Sequence, residues 1–310
     1  MSGEAHEPVL LKECIDALNI RPDGIYVDGT LGRAGHSREI ARRLTTGLLI
    51  GIDRDESAIE AAKEILGEFG GRTVLVKSNF DCIASVLDGL GIEAADGMLF
   101  DLGVSSPQLD ETERGFSYSS EAPLDMRMDR SESLTAREIV NRWDAGKIKD
   151  ILFRYGEERW SARIAAAIVR RREVRPIETT TELAEIIKGA MPASALREKQ
   201  HPAKRSFQAL RIAVNDELGS IERMLDAAPD RLAGGGRLCV ISFHSLEDRL
   251  VKQAIIKREN CCTCPKDLPV CVCGFRQTLK QVGGVVTPGS EELERNPRSR
   301  SAKLRTAEKI

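Results

Sequence analysis

From Val27 to Asp55 the chain runs through an apolar stretch, a glycine turn, a helical pattern and a second apolar stretch that ends in acids. Gly29, Gly32 and Gly35 stand three residues apart, and Leu48-Leu49-Ile50-Gly51-Ile52-Asp53 follows. A strand that turns through glycines into a helix, with an acid closing the next strand, is how a doubly wound sheet builds a nucleoside pocket. Glycine has no Cβ, so the main chain turns sharply and a ligand can come close to it. Asp53 is placed to accept hydrogen bonds from both ribose hydroxyls, each worth roughly 1.5–3 kcal/mol when one partner is charged. The G-x-x-G-x-x-G spacing lacks the second close glycine that a dinucleotide pyrophosphate needs. That favours S-adenosylmethionine over a nicotinamide dinucleotide. The competing reading is a tight turn followed by an Asp53 that caps the next helix.

The same alternation continues along the chain. Strands are expected at 25–30, 47–53, 73–78 and 96–102, with helices at 35–44, 56–68 and 81–90 between them. Parallel β-α-β units follow from that order. From 106 to 205 the sequence shows turns and helical stretches with no convincing strand. The α/β pattern resumes with a helix at 206–227, a strand at 237–243 and a helix opened by a capping box at Ser245-Leu246-Glu247-Asp248. The expected architecture is therefore one discontinuous nucleotide-binding domain, 1–105 and 206–310, interrupted by a helical domain over 106–205.

Composition excludes several classes. With 41% hydrophobic and 30% charged residues the chain has the balance of a globular protein. No run approaches the roughly 18 apolar residues of a membrane span, and Met1 to Glu7 lacks signal-peptide character, so a cytoplasmic location is expected. The net charge of −2 argues against indiscriminate nucleic-acid binding but does not exclude a basic face.

A second cluster closes the fourth strand, Leu99-Phe100-Asp101-Leu102-Gly103-Val104-Ser105-Ser106-Pro107-Gln108-Leu109. With His6 to Leu11, Asp28 to Ser37, Arg114 to Ser117, Pro123 to Asp129, Lys204 to Ile212, Ser242 to Arg249 and Asn296 to Arg305, it resembles the ribosomal RNA small subunit methyltransferase H family. The segments occur in family order over nearly the whole chain. The resemblance implies a class I methyltransferase (Rossmann-like) sheet with an inserted helical domain. It further implies methyl transfer from S-adenosyl-L-methionine to the exocyclic N4 of a decoding-centre cytidine in 16S ribosomal RNA, with the small ribosomal subunit as partner. Carried over position by position, cofactor contacts fall on Ala34, Gly35, His36, Asp53, Phe80, Asp101 and Gln108, and Asp101 is the catalytic candidate. In this loop the family commonly has glycine where Ala34 stands, a change that is cheap at negative φ and costly at positive φ. Phe80 is implied to pack on adenine; a core position is the ordinary alternative. A nicotinamide-dependent oxidoreductase and a non-catalytic ribosome-assembly protein are the competing functions.

Basic residues in the insertion, Arg154, Arg159, Arg163, Arg170, Arg171, Arg172 and Arg175, with Lys199, Lys204, Arg205 and Arg211 beyond, are candidates for phosphate contact. Arg295, Arg298, Arg300, Lys303 and Arg305 extend the set into the tail. Cys14, Cys82 and Cys239 are expected to be reduced core residues. Cys261, Cys262, Cys264, Cys271 and Cys273 crowd into one stretch, either a zinc loop or a reduced, redox-sensitive loop. The implied chemistry needs no metal, and none is assigned to the active site.

Overall fold

The computed structural model describes residues 8–260, 262, 264 and 272–310. His6, Glu7, Cys261 and Cys271 lie outside them. The chain opens with α1 (Leu11–Leu18), β1 (Ile25–Asp28), α2 (Gly35–Arg43), β2 (Leu48–Asp53), α3 (Glu56–Leu66), β3 (Thr73–Lys77), α4 (Ile83–Gly89) and β4 (Ala95–Asp101). Helices follow: α5 (Ser106–Asp110), α6 (Ala136–Arg142), α7 (Ala145–Gly156), α8 (Ser161–Val174), α9 (Thr180–Ala190), α10 (Lys204–Asn215) and α11 (Glu217–Ala227). The chain ends with β5 (Leu232–Ser242), α12 (Ser245–Glu259), β6 (Leu279–Gln281), α13 (Ser290–Arg295) and β7 (Lys303–Lys309).

The strands form one sheet in the order β3-β2-β1-β4-β5-β7-β6. Strands β1 to β5 are parallel, and β7 runs antiparallel between β5 and β6. Apolar runs such as Leu49-Ile50-Gly51-Ile52 in β2 are buried on both faces, as a parallel sheet covered by helices requires. One face packs Leu18, Ile40, Leu44 and Leu66; the other packs Ile83, Leu87, Met224 and Val251. Each fully buried aliphatic side chain of this size contributes roughly 1.5–3 kcal/mol. The strand order reverses between β1 and β4, and open α/β sheets bind ligands at the carboxyl ends beside such a reversal.

The chain divides into two compact units, Met1–Gly103 with Leu218–Ile310, and Val104–Glu217. The second unit reaches past the expected boundary at 205, because α10 gives Phe207, Ala209, Leu210 and Val214 to that unit's own core. Gly156 marks the tight fit of α7 on α10: a Cβ there would lie 2.6 Å from the Arg205 carbonyl oxygen. The helices start on Thr135, Asp144 and Thr179, whose side chains accept the Glu138, Lys147 and Glu182 N–H groups. The helix expected over 206–227 is two helices, broken at Asp216 with φ of 48°. Strand β7 takes up two of the tail's candidate phosphate contacts: Lys303 and Arg305 bind Asp248 at 3.1 and 2.7 Å. No helix among the described residues is long and apolar enough to cross a membrane.

Candidate active site

The parallel register brings Asp28, Asp53 and Asp101 to the carboxyl ends of β1, β2 and β4. Asp28 is buried; its carboxylate accepts from Ser37 Oγ at 2.6 Å and from the Thr30 N–H at 3.2 Å. Burial pushes its pKa up, against the opposing pull of His36 and the Ser37 bond. Thr30 links the strands, its Oγ1 accepting the Asp101 N–H at 2.6 Å. Asp53 is half-buried and accepts the Gly32 N–H at 2.9 Å and the Asp55 N–H at 2.8 Å. Burial lifts its pKa to about 6, opposed by those two bonds and reinforced by Asp55 and Asp28. Asp53 is not the cap of α3; Asp55 is, accepting the Ser57 N–H.

Each loop glycine answers a different structural demand. A Cβ on Gly29 would lie 2.3 Å from the Phe100 ring, and one on Gly35 would lie 2.2 Å from Pro8 Cγ. Gly32 has φ of 50°. Ala34 also has positive φ, 55°, as the N-cap of α2, so this chain carries a methyl at the costly conformation. His36 is buried in the first turn of α2, with Nε2 3.0 Å from the Val9 carbonyl oxygen.

Phe80 is half-buried, set edge-on to Phe100 with centroids 6.1 Å apart, and packs against the second core cluster. The Asp101 Oδ1 is buried with no hydrogen-bond partner among the described residues. Burial drives its pKa well above the usual carboxylate range, helped by the negative charges of Asp28 and Glu247. Gln108 belongs to the second unit, where its Oε1 accepts the Ser105 N–H at 3.1 Å.

Thr30, Asn79 and Glu247 carry no expected role in the sequence patterns. Glu247 is fully buried and accepts the Phe243 N–H at 2.7 Å and the His244 N–H at 3.2 Å. The capping box of α12 thus starts at His244, one residue before the expected Ser245. An acid three residues after a cap was the available signal. Cys82, expected in the core, is exposed, with Sγ 3.4 Å from Asp81 Oδ1. Cys14 and Cys239 are buried, and burial raises the Cys239 thiol to about 12.

A doubly wound sheet with one antiparallel strand near its edge, and acids gathered at the carboxyl ends of β1, β2 and β4, defines a Rossmann-like class I methyltransferase. Residues 3–310 match the model of the MraW methylase family, and the chain belongs to that family. Ribosomal RNA small subunit methyltransferase H of Symbiobacterium thermophilum is 56% identical over 307 residues, covering 98% of this chain and 96% of the relative. The protein of that name from Heliobacterium mobile is 54% identical over 308 residues, covering 98% and 99%. That from Brevibacillus brevis is 53% identical over 307 residues, covering 98% of each chain.

Proposed function

We propose that this chain methylates the exocyclic N4 of a decoding-centre cytidine in 16S ribosomal RNA, working on the small ribosomal subunit in the cytoplasm. Full-length kinship with proteins named for small-subunit ribosomal RNA methylation supports the substrate. The observation that carries the chemistry is the buried, unpartnered Oδ1 of Asp101 at the end of β4. A buried acceptor without a partner costs about 1–3 kcal/mol, and an incoming N–H donor removes that cost. Asn79 Oδ1 is likewise buried without a partner among the described residues. Acceptors of this kind fit a cofactor carrying an ammonium and hydroxyls.

When bound, S-adenosyl-L-methionine supplies an electrophilic methyl on its sulfonium. Asp53, after β2, is assigned the ribose hydroxyls. Phe80, anchored edge-on to Phe100, is assigned the adenine face. Ala34, the N-cap of α2, and Gly35 and His36 in its first turn are assigned to the cofactor, as is Gln108, by their places in the family pattern. The N4 lone pair of cytosine is delocalised into the ring, so positioning and acceptors for its hydrogens dominate what the protein contributes. Asp101 is the acceptor, for N4 or for the methionine ammonium. The exposed cations of the inserted unit are assigned to RNA phosphate.

Calorimetry with S-adenosylmethionine, combined with turnover on small subunits lacking their own modification, tests this reading with Asp101→Asn. Loss of turnover with cofactor affinity unchanged assigns the carboxylate to N4. A matching loss of cofactor affinity assigns it to the ammonium. Turnover and affinity both at wild-type level remove Asp101 from the site, and tight NAD binding without S-adenosylmethionine binding overturns the methyltransferase reading.

A further inference from the structure

Between Glu259, the last residue of α12, and Leu279, the first of β6, the chain leaves the sheet on an excursion that contains five of the eight cysteines. Among its described residues, Asn260 to Thr278, none is buried, and Val272 is 78% exposed. None of these described residues belongs to an apolar core cluster. Yet Cys262, Cys264 and Cys273 place their sulfurs within 4.8 Å of one another. Cys262 Sγ and Cys273 Sγ are 3.7 Å apart. A covalent S–S bond is about 2.05 Å long. The edge of a tetrahedron of sulfurs around zinc is about 3.8 Å, given Zn–S bonds of about 2.3 Å. The observed separation is far beyond the first and within reach of the second. The Val272 N–H donates to Cys264 Sγ at 3.3 Å, an outer-shell bond of the kind that orients a metal-bound thiolate.

We propose that Cys262, Cys264 and Cys273 bind a structural zinc ion. The physical case is convergence without packing. Three thiols brought together in a core can be a by-product of apolar burial; Cys262 and Cys273 are exposed and Cys264 is half-buried, so burial does not account for their meeting and a shared metal ion does. Soft sulfur ligands select zinc among divalent ions of ordinary availability, with iron as the competitor. Binding converts three thiols to thiolates and releases three protons, so metal affinity rises with pH. The ion ties Cys262 and Cys264, which follow α12, to Cys273, which precedes β6. This assignment is independent of the methyl-transfer chemistry, which requires no Lewis acid.

The test uses the full chain, purified under reducing conditions without chelator and analysed for metal by mass spectrometry. The expected result is about one zinc per chain. A mercurial that caps thiols should release that zinc, and cobalt(II) loaded in its place should give near-ultraviolet sulfur-to-metal charge-transfer bands. Cys264→Ser and Cys273→Ser should each lose the metal while keeping the wild-type circular dichroism spectrum, and Cys82→Ser, outside the cluster, should keep the metal. Should either cluster variant fail to fold, zinc release by the mercurial from the wild-type chain still decides the matter. Absence of zinc together with absence of cobalt charge-transfer bands overturns the proposal. So does iron in place of zinc, or zinc retained in both cluster variants.

Discussion

At the residue scale the candidate site gathers carboxylates whose charge burial opposes. Asp53 titrates near 6 because burial outweighs the two N–H bonds it accepts. A carboxylate is the better acceptor for ribose hydroxyls, so cofactor affinity should be constant above pH 7 and fall by about tenfold per unit well below 6. Calorimetric titrations from pH 5 to 8 check this, and a flat profile would separate Asp53 from the ligand. Asp53→Ala should weaken binding by roughly one to three powers of ten and remove that pH dependence, at about 1.4 kcal/mol per power. The position of Asp53 at the end of the second strand was legible from the sequence. The raised pKa was not, because it depends on Asp28 and Asp55 and on burial that only the folded chain creates.

Ala34 is a second case where only φ decides. A left-handed alanine costs about 1–2 kcal/mol. Its methyl is fully buried, which returns about 0.8 kcal/mol, and glycine in its place would add unfolded-state entropy of about 0.4–1 kcal/mol. These terms nearly cancel, so Ala34→Gly should change unfolding stability by less than about 1 kcal/mol. Ala34→Val puts a β-branched side chain at positive φ and should cost more than about 2 kcal/mol. Denaturant unfolding of the two variants measures both values; equal costs would mean that conformation is not what limits this position.

At the scale of elements, the helices sort the basic residues that sequence alone could only count. On α8, Arg171 pairs with Glu182, and Arg172 donates to the Val140 carbonyl at 2.9 Å. Arg211 is held by both oxygens of Glu217 at 2.8 Å. Arg163, set over the Trp160 ring, and Arg170, seven residues on, are exposed on the same helix. Replacing Arg163 and Arg170 with Ala should weaken RNA binding and reduce the log-log salt slope by roughly 0.7–0.9 for each lost phosphate contact. Arg171→Ala should instead lower the melting temperature with the slope unchanged. Salt-titrated binding with thermal melts separates the two, and an unchanged slope in the double variant places the RNA surface elsewhere. The first four strands and their helices were legible because apolar runs and amphipathic stretches alternate without interruption. Strand β7 was not: Lys303 and Arg305 look like a phosphate-binding tail until Asp248 is seen to hold them.

At the scale of the whole molecule, the insertion was visible as a stretch without strands, but its far boundary was not. Lys204 to Asn215 continues into α11 in sequence with only Asp216 between them, and nothing in the composition reveals that α10 belongs to a different core. The unit Val104–Glu217 carries its own apolar cluster, including Leu124, Ile148, Leu152, Ile164, Leu183 and Leu210. Several of its buried polar groups are paired within the unit. Arg114, buried, donates to the Arg127 and Met128 carbonyls at 3.0 and 2.8 Å, and Asn215 accepts the Met128 N–H at 2.7 Å and donates to the Met126 carbonyl at 2.8 Å. A segment of about this size buries enough surface to fold alone when its core is self-contained. Expressed by itself, residues 104–217 should therefore give a helical spectrum and melt in one cooperative transition. It should keep salt-dependent RNA affinity and bind no S-adenosylmethionine. A broad, non-cooperative melt with dye-binding apolar surface would show that its core needs the rest of the chain, and a cooperative fragment without RNA affinity would move the phosphate contacts to the sheet-bearing unit.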